Sequence, residues 1–110
     1  MPPSNREFIN HIADEIAFCL KELSHLKYEE FIQDEKLLRA VIRSLEIVGE
    51  ASKKISLDFK NEHPEVEWKS MAGMRDRLIH HYFGVDYEMV FRTIKNDLPQ
   101  LGERIKNMLP

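Results

Sequence analysis

Residues 74–87, MRDRLIHHYFGVDY, concentrate side chains that can bind an anion and move a proton. The guanidinium forks of Arg75 and Arg77 match the geometry of phosphate oxygens, and histidine, present here as His80 and His81, is the residue type best suited to proton transfer near neutral pH. From residue 69 to residue 82, three lysine or arginine side chains face one acid, although the whole chain is acidic. This segment is therefore the best candidate in the chain for a small anion or phosphate site.

Arg75 lies at the middle of an apolar face when residues 66–83 are drawn as a helix. At about 100° per residue, six residues fall within about 60° of it: Trp68, Met71, Ala72, Leu78, Ile79 and Tyr82. A guanidinium taken out of water needs a counter-charge. Arg75 must therefore meet a carboxylate elsewhere in the fold, reach a cleft, or face a second subunit.

His80 points away from Arg75 on the same projection, by about 140°. It lies one turn after Asp76, whose carboxylate could orient the imidazole. The two side chains converge only if Arg75 reaches round, if Gly73 distorts the helix, or if a two-fold partner supplies a second copy. An exposed histidine with no special role remains the alternative.

A second helix offers companions for Arg75. Arg39, Arg43, Glu46 and Glu50 fall on the side opposite its apolar face. They form either a solvated ladder of ion pairs or a polar wall beside the Arg75 cleft or a dimer partner. In the second case Glu46 or Glu50 is the partner of Arg75.

Helical periodicity accounts for most of the chain. Ser4 or Asn5 opens a first helix, whose apolar stripe includes Cys19, and Asp34 caps a long second one. Residues 57–65 read as a short helix or loop that Pro64 ends. No stretch alternates with period two for long enough to predict a strand.

The second half of the chain contributes two more helices. The third spans roughly residues 66–83, with a kink at Gly73 and a stop at Gly84, and Asp86 caps the fourth, which Pro99 bends or breaks. We therefore predict an all-α fold, an antiparallel bundle of four to five helices, as one domain over residues 1–110.

Composition excludes several classes of protein. With 16 basic and 19 acidic residues the net charge is −3, so no polycationic field drives nucleic-acid binding. The one cysteine, Cys19, cannot form an internal disulfide, and neither an export signal nor a membrane span is visible, so we expect a cytoplasmic protein. Ligand spacing for a metal is lacking, and no cofactor is expected.

The arrangement Arg75-x4-His80-x-Tyr82 resembles the signature of HEPN-domain ribonucleases, in the form found in the HepT-like toxin branch. Three segments are similar to that branch in order and spacing: RSLEIVGEASKKI (43–55), HPEVEWKSMAGMRDRLIHHYFGVD (63–86) and IKNDLPQL (94–101). The resemblance covers most of the chain from about residue 28 onward.

The resemblance implies a homodimer whose motif helices enclose a shared cleft that cleaves RNA without a metal ion. Arg75 and His80 match the catalytic pair, and Asp76 stands where many such proteins carry asparagine. His81 fits a looser spacing and is the reserve candidate, while Arg43 and Glu46 are supporting candidates. It also implies a toxin–antitoxin pair with a minimal nucleotidyltransferase, which silences the toxin by binding or by transferring AMP to the tyrosine matched by Tyr82.

Two other functions remain open. One is a non-catalytic helical module that docks a nucleotidyltransferase partner through Arg75 and Tyr82. The other is a purely structural helical dimer, in which Arg75 pairs with Glu46 or Glu50 and His80 is exposed.

Overall fold

The computed structural model describes residues 4–80 and 84–109, and for His80 it describes the backbone alone. Helices make up nearly all of its regular structure, which confirms the all-α prediction. The elements are α1 (Asn5–Leu23), α2 (Tyr28–Phe31), α3 (Glu35–Lys54), α4 (Leu57–Glu62), α5 (Trp68–Ala72), α6 (Met74–Leu78), β1 (Ile79–His80), β2 (Gly84–Val85), α7 (Tyr87–Arg92), a π-helical turn (Thr93–Asp97) and α8 (Leu98–Lys106).

The two long helices, α1 and α3, form the centre of the bundle, and both begin where the sequence predicts. Ser4 accepts a hydrogen bond from the Glu7 amide, and Asp34 accepts one from the Leu37 amide, so each side chain satisfies an amide of its helix's first turn. The predicted apolar stripes pack against each other. The buried hydrophobic residues contributed by the two helices are Ile9, Ile12, Ile16, Cys19, Leu23, Leu38, Val41, Leu45, Val48 and Ala51.

Close approach of α3 to α5 occurs at Gly49. A Cβ atom built there would lie 3.5 Å from the carbonyl oxygen of Met71 and 3.7 Å from that of Ala72. A side chain larger than a methyl group has no room at this crossing. Gly49 therefore sets how closely α5 packs on α3.

The last helical region is interrupted where Pro99 predicts it. Asp86 caps α7 through the Met89 amide, and the π-helical turn Thr93–Asp97 leads into α8 with Pro99 in its first turn. Proline has no amide hydrogen to give to a preceding carbonyl, and it is tolerated in a first turn because those amides lack helical partners. The wider turn before Pro99 therefore absorbs the missing hydrogen bond.

The predicted third helix is wrong only beyond Leu78, where residues 79 and 80 are extended and residues 81–83 lie outside the described part of the chain. It breaks at Gly73, as expected of a kink, but it ends at Leu78 instead of continuing to Phe83. Ile79 and His80 are extended and pair antiparallel with Val85 and Gly84, respectively.

One hydrogen bond and one backbone conformation explain the early end of this helix. The Asp86 amide donates to the Leu78 carbonyl at 2.9 Å, which joins the two ends of the connection. Gly84 adopts a φ of 80°, a conformation that glycine alone adopts without strain. Gly84 therefore belongs to a two-residue strand and does not end a helix, and a strand this short shows no alternation in sequence.

None of the described helices is long and apolar enough to cross a lipid bilayer.

Candidate functional site

The segment α5–α6 carries the predicted site residues and is anchored by four buried side chains, Trp68, Met71, Met74 and Leu78. The indole nitrogen of Trp68 also donates to the His63 carbonyl at 2.9 Å. The buried arc is therefore centred near Met71 and Leu78, and Arg75 lies at its edge. The prediction that Arg75 occupies the middle of the apolar face is wrong, because Met74 and Leu78 shift that face to one side.

Arg75 meets two carboxylates at this edge. Its Nε lies 3.6 Å from Oε2 of Glu46, and its Nη1 lies 3.5 Å from Oδ1 of Asp76. Both distances exceed those of good charge-assisted hydrogen bonds, and the Arg75 side chain is 40% exposed. A pair of this kind contributes about 0–1 kcal/mol, so the guanidinium can exchange its counter-ion for another anion at small cost.

The sequence predicted Glu46 or Glu50 as a partner of Arg75, and the structure confirms Glu46. It projects from α3 with its side chain 31% exposed, whereas Glu50, one turn later, lies 3.9 Å from Lys53. We call the surface formed by Arg75, Glu46 and Asp76 the Arg75 face.

Arg43 does not join the Arg75 face. It is exposed on α3, where it lines a shallow groove of about 170 Å³ with His11 and Lys54. Arg39 pairs with Glu35 at 2.9 Å on the exposed side of the same helix. On the polar side of α3, Arg39 therefore forms a solvated ion pair, whereas Glu46 contacts Arg75.

His81 and Tyr82 lie outside the described residues, as does the side chain of His80. The backbone of His80 follows α6 directly and pairs with Gly84. Because the chain is extended after Leu78, the helical projection that separates His80 from Arg75 does not apply. For the same reason Asp76 and His80 are not related by one helical turn, and Asp76, with its side chain 78% exposed, faces Arg75 instead.

Arg77, one of the cationic residues of the predicted anion site, lies on the other side of α6 from Arg75. It lines a cleft of about 250 Å³ between α5–α6 and the region from the π-helical turn into α8. We call this the Arg77 cleft, and its lining is Glu67, Ser70, Met71, Met74, Arg77, Thr93, Asp97, Leu98, Gln100, Leu101 and Arg104. Sequence analysis missed Arg104, Asp97 and Thr93 as neighbours of Arg77, because only the packing of α8 on α5–α6 brings them together.

Cys19 is a poor candidate for a nucleophile. Burial raises the pKa of its thiol to about 12, with a hydrogen bond to Ser44 acting in the opposite direction and the nearby Glu15 charge adding to the rise. The thiolate is the reactive form, so this cysteine is chemically silent at neutral pH. No cluster of three or more metal-ligating side chains occurs in residues 4–80 and 84–109 as far as their side chains are described.

Comparison with known proteins identifies the family. A family model described as "Ribonuclease HepT-like" matches residues 12–108. The chain belongs to the HepT-like ribonuclease family. Membership in the HEPN superfamily follows, and the resemblance seen in the motif is confirmed.

Relatives of this HepT-like protein match over nearly their full length. A protein of Thermococcus cleftensis named "Probable ribonuclease HepT" is 44% identical over 98% of this chain and 98% of its own. One of Caldanaerobacter subterraneus subsp. tengcongensis, named "Putative RNase", is 42% identical over 94% of this chain and 93% of its own. Another with that description, from Methanocaldococcus jannaschii, is 40% identical over 94% of this chain and 88% of its own. No solved structure matches the HepT-like chain.

Proposed function

We propose that this protein is an endoribonuclease toxin that cleaves RNA without a metal ion, with Arg75 and His80 as its catalytic residues. The observation that carries the proposal is the state of Arg75, a part-exposed guanidinium in the first turn of the short helix α6. Its two carboxylate partners lie at 3.5 and 3.6 Å. A phosphate that makes two parallel hydrogen bonds to this guanidinium displaces such partners easily.

The reaction uses the ribose 2′-hydroxyl as nucleophile. A new bond forms from the 2′-oxygen to the adjacent phosphorus, and the bond from phosphorus to the 5′-oxygen breaks. An imidazole, with an unperturbed pKa near neutral, accepts the 2′-hydroxyl proton, and a second acid protonates the departing 5′-oxygen. Arg75 stabilises the negative charge that develops on the non-bridging oxygens. The products carry 2′,3′-cyclic phosphate and 5′-hydroxyl ends.

A homodimer supplies the second proton-transfer group in this proposal. If two motif segments meet across a two-fold axis, the shared cleft holds two copies of Arg75 and His80, one imidazole acting as base and the other as acid. His81 is the reserve candidate for either role. Asp76, 3.5 Å from Arg75, holds the guanidinium in place but also repels phosphate, which lowers affinity for RNA.

The proposed antitoxin is a minimal nucleotidyltransferase. It neutralises the protein by binding the dimer cleft or by transferring AMP to the hydroxyl of Tyr82. A phosphate group attached two residues after His80 adds negative charge near the catalytic arginine. The modified protein would then bind RNA phosphate more weakly, because the attached phosphate competes for Arg75.

One observation favours a second function. The ion pair between Arg75 and Glu46 is also what a structural role for Arg75 requires. In that case the protein is a purely structural helical dimer, in which Arg75 pairs with Glu46. Substitution of Arg75 then leaves RNA intact and weakens the fold or the dimer.

The test uses purified protein and a defined single-stranded RNA. We expect cleavage that persists in excess chelator and leaves 2′,3′-cyclic phosphate ends, identified by mass spectrometry. His80→Ala should abolish cleavage, and His25→Ala, which removes an exposed histidine just after α1, should leave it unchanged.

The same variants are then expressed in a host that lacks the nucleotidyltransferase. Growth arrest by the wild type and the His25→Ala control, with normal growth of the His80→Ala strain, supports the toxin. Cleavage that survives in His80→Ala, or that chelator removes, contradicts the proposed mechanism.

A further inference from the structure

The Arg77 cleft has the lining of a small-molecule site. Its floor consists of the apolar side chains Met71, Met74, Leu98 and Leu101, the first three of which are buried. Its rim is polar, with Ser70, Thr93 and Gln100 from three different elements. A flat ring can lie on such a floor while its edge bonds to the rim.

Four charged side chains surround the cleft: Arg77 and Arg104 against Glu67 and Asp97. Within the described part of the chain, every ion pair is formed elsewhere, and none joins two of these four residues. Side chains of opposite charge therefore line one cleft without a direct ion pair between them. Space between them remains for a ligand that satisfies both signs.

Arg77 is oriented towards this space by the backbone. Its Nη2 donates to the Ser70 carbonyl at 3.1 Å, which fixes one edge of the guanidinium. A guanidinium has five N–H donors, so the rest of the fork stays available for an anion. On the opposite wall, the π-helical turn carries Thr93 and Asp97 into the cleft, and such turns are frequent at functional sites.

The charges select the ligand class. A simple anion would be repelled by Glu67 and Asp97, and a simple cation by Arg77 and Arg104. A nucleoside phosphate suits both, because its phosphate accepts from arginine while its ribose hydroxyl and base N–H groups donate to carboxylates. Its base is the flat ring that the apolar floor accommodates.

We propose that the Arg77 cleft binds one nucleotide unit, and that this unit belongs to the RNA strand that reaches the Arg75 face. Arg77 and Arg75 are two residues apart on the same short helix, so a strand bound at one side is held close to the other. The RNA source rests on the proposed ribonuclease function. Nucleotide binding itself is measurable without any cleavage.

The experiment measures binding with two probes. One is 5′-AMP, followed by calorimetry, and the other is a fluorescent 12-nucleotide RNA with 2′-O-methyl groups, which blocks attack by the 2′-oxygen. We expect Arg77→Glu and Arg104→Glu each to weaken RNA binding by about tenfold or more, the loss of one charge-assisted phosphate contact. Arg92→Glu removes an exposed arginine that does not line the cleft and should change binding by less than about twofold.

Each outcome decides a point. Loss of RNA binding in both cleft variants supports a site for a unit of the RNA strand, whereas loss of AMP binding alone assigns the cleft to a free nucleotide and overturns the RNA source. If the cleft variants bind both probes as tightly as the wild type does, or if Arg92→Glu weakens binding as much as they do, the cleft is not a nucleotide site. Arg77→Gln and Arg104→Gln, which remove the charge without reversing it, guard against a fold defect, and thermal melting confirms the fold of each variant.

Failure of the inference is separable from failure of the proposed function. If the wild type cleaves RNA and Arg77→Glu leaves KM unchanged, the cleft proposal is wrong and the nuclease stands. If the cleft variants lose binding but the wild type never cleaves RNA, the nuclease is wrong and the cleft stands.

Discussion

The two sides of α6 present the same residue type in two different states. On the Arg75 face, the guanidinium sits against carboxylates of Glu46 and Asp76 at 3.6 and 3.5 Å. In the Arg77 cleft, the guanidinium bonds to a backbone carbonyl, and the acids of the cleft form no ion pair with it. One arginine therefore has a counter-charge that a substrate must displace, and the other has an open position.

This difference separates two tasks that binding RNA requires. A catalytic group gains from a loosely held partner, because that partner stabilises the free protein and leaves when the transition state offers a better one. A binding group gains from a fixed position and no competitor. The short helix α6 can serve both tasks since its two arginines project to opposite sides of one buried anchor.

The largest expected effect separates the two sides by kinetic constant. Arg75→Gln should lower kcat for RNA cleavage about 100-fold or more, because it removes charge stabilisation made in the transition state. Arg77→Gln should act mainly on KM, raising it several-fold. Steady-state kinetics with a fluorogenic RNA give both constants, with Arg92→Gln as the control. A fall in kcat for both variants, or for neither, removes the distinction.

The crossing of α3 and α5 offers a structural test of the Arg75 face alone. Gly49→Leu should destabilise the fold by about 1–3 kcal/mol, because the side chain must push apart two backbones already in contact. Gly49→Ala adds only a methyl group at ordinary contact distance and should be neutral or slightly stabilising.

Urea unfolding gives the free energy of each Gly49 variant. If Gly49→Leu is as stable as the wild type, the close approach that brings Glu46 to Arg75 is not present in solution.

Glu46 provides a smaller and more specific effect. Glu46→Gln removes the competing carboxylate, so RNA affinity should rise several-fold, while stability should change by less than about 1 kcal/mol because the pair is partly exposed. Filter binding at two salt concentrations measures the affinity. A loss of affinity instead would mean that Glu46 positions Arg75 and does not compete for it.

The smallest expected effect concerns Cys19, which reports whether the core stays closed in these variants. With a pKa of about 12, about one thiol in ten thousand is ionised at pH 8. Labelling by a thiol reagent should therefore be slow, and its rate should differ by less than about twofold between the wild type and the Arg75 and Arg77 variants. Faster labelling in one variant would trace its functional defect to an opened core.

Local signals explain how much of the fold was predictable. The caps at Ser4, Asp34 and Asp86, the break at Gly73 and the interruption before Pro99 each depend on a few neighbouring residues, and the structure confirms them. The end of the third helix depends instead on the bond from the Asp86 amide to the Leu78 carbonyl. That contact comes from the packing of the whole segment, so apolar periodicity through residue 83 gave the wrong answer.

The candidate site, like the fold, was predictable from the sequence only in part. The types and order of Arg75, His80 and Tyr82, together with the segments that flank them, indicated the family that the comparison confirms, and the catalytic roles of Arg75 and His80 stay predictions. Glu46 emerged as one of two possible partners, because helical spacing gives a face of α3 without saying which residue on it reaches Arg75. Arg104 and Asp97 had no signal at all near Arg77.

By itself the sequence determined most of the helices, their caps and the residue types carried along α6, because each depends on residues within a few turns of one another. Only the tertiary structure decided which side of α6 each arginine serves. The approach of α3 at Gly49 brings an acid to Arg75, and the packing of α8 leaves a cleft before Arg77. Those outcomes depend on distances between segments far apart in the chain, which no local pattern encodes.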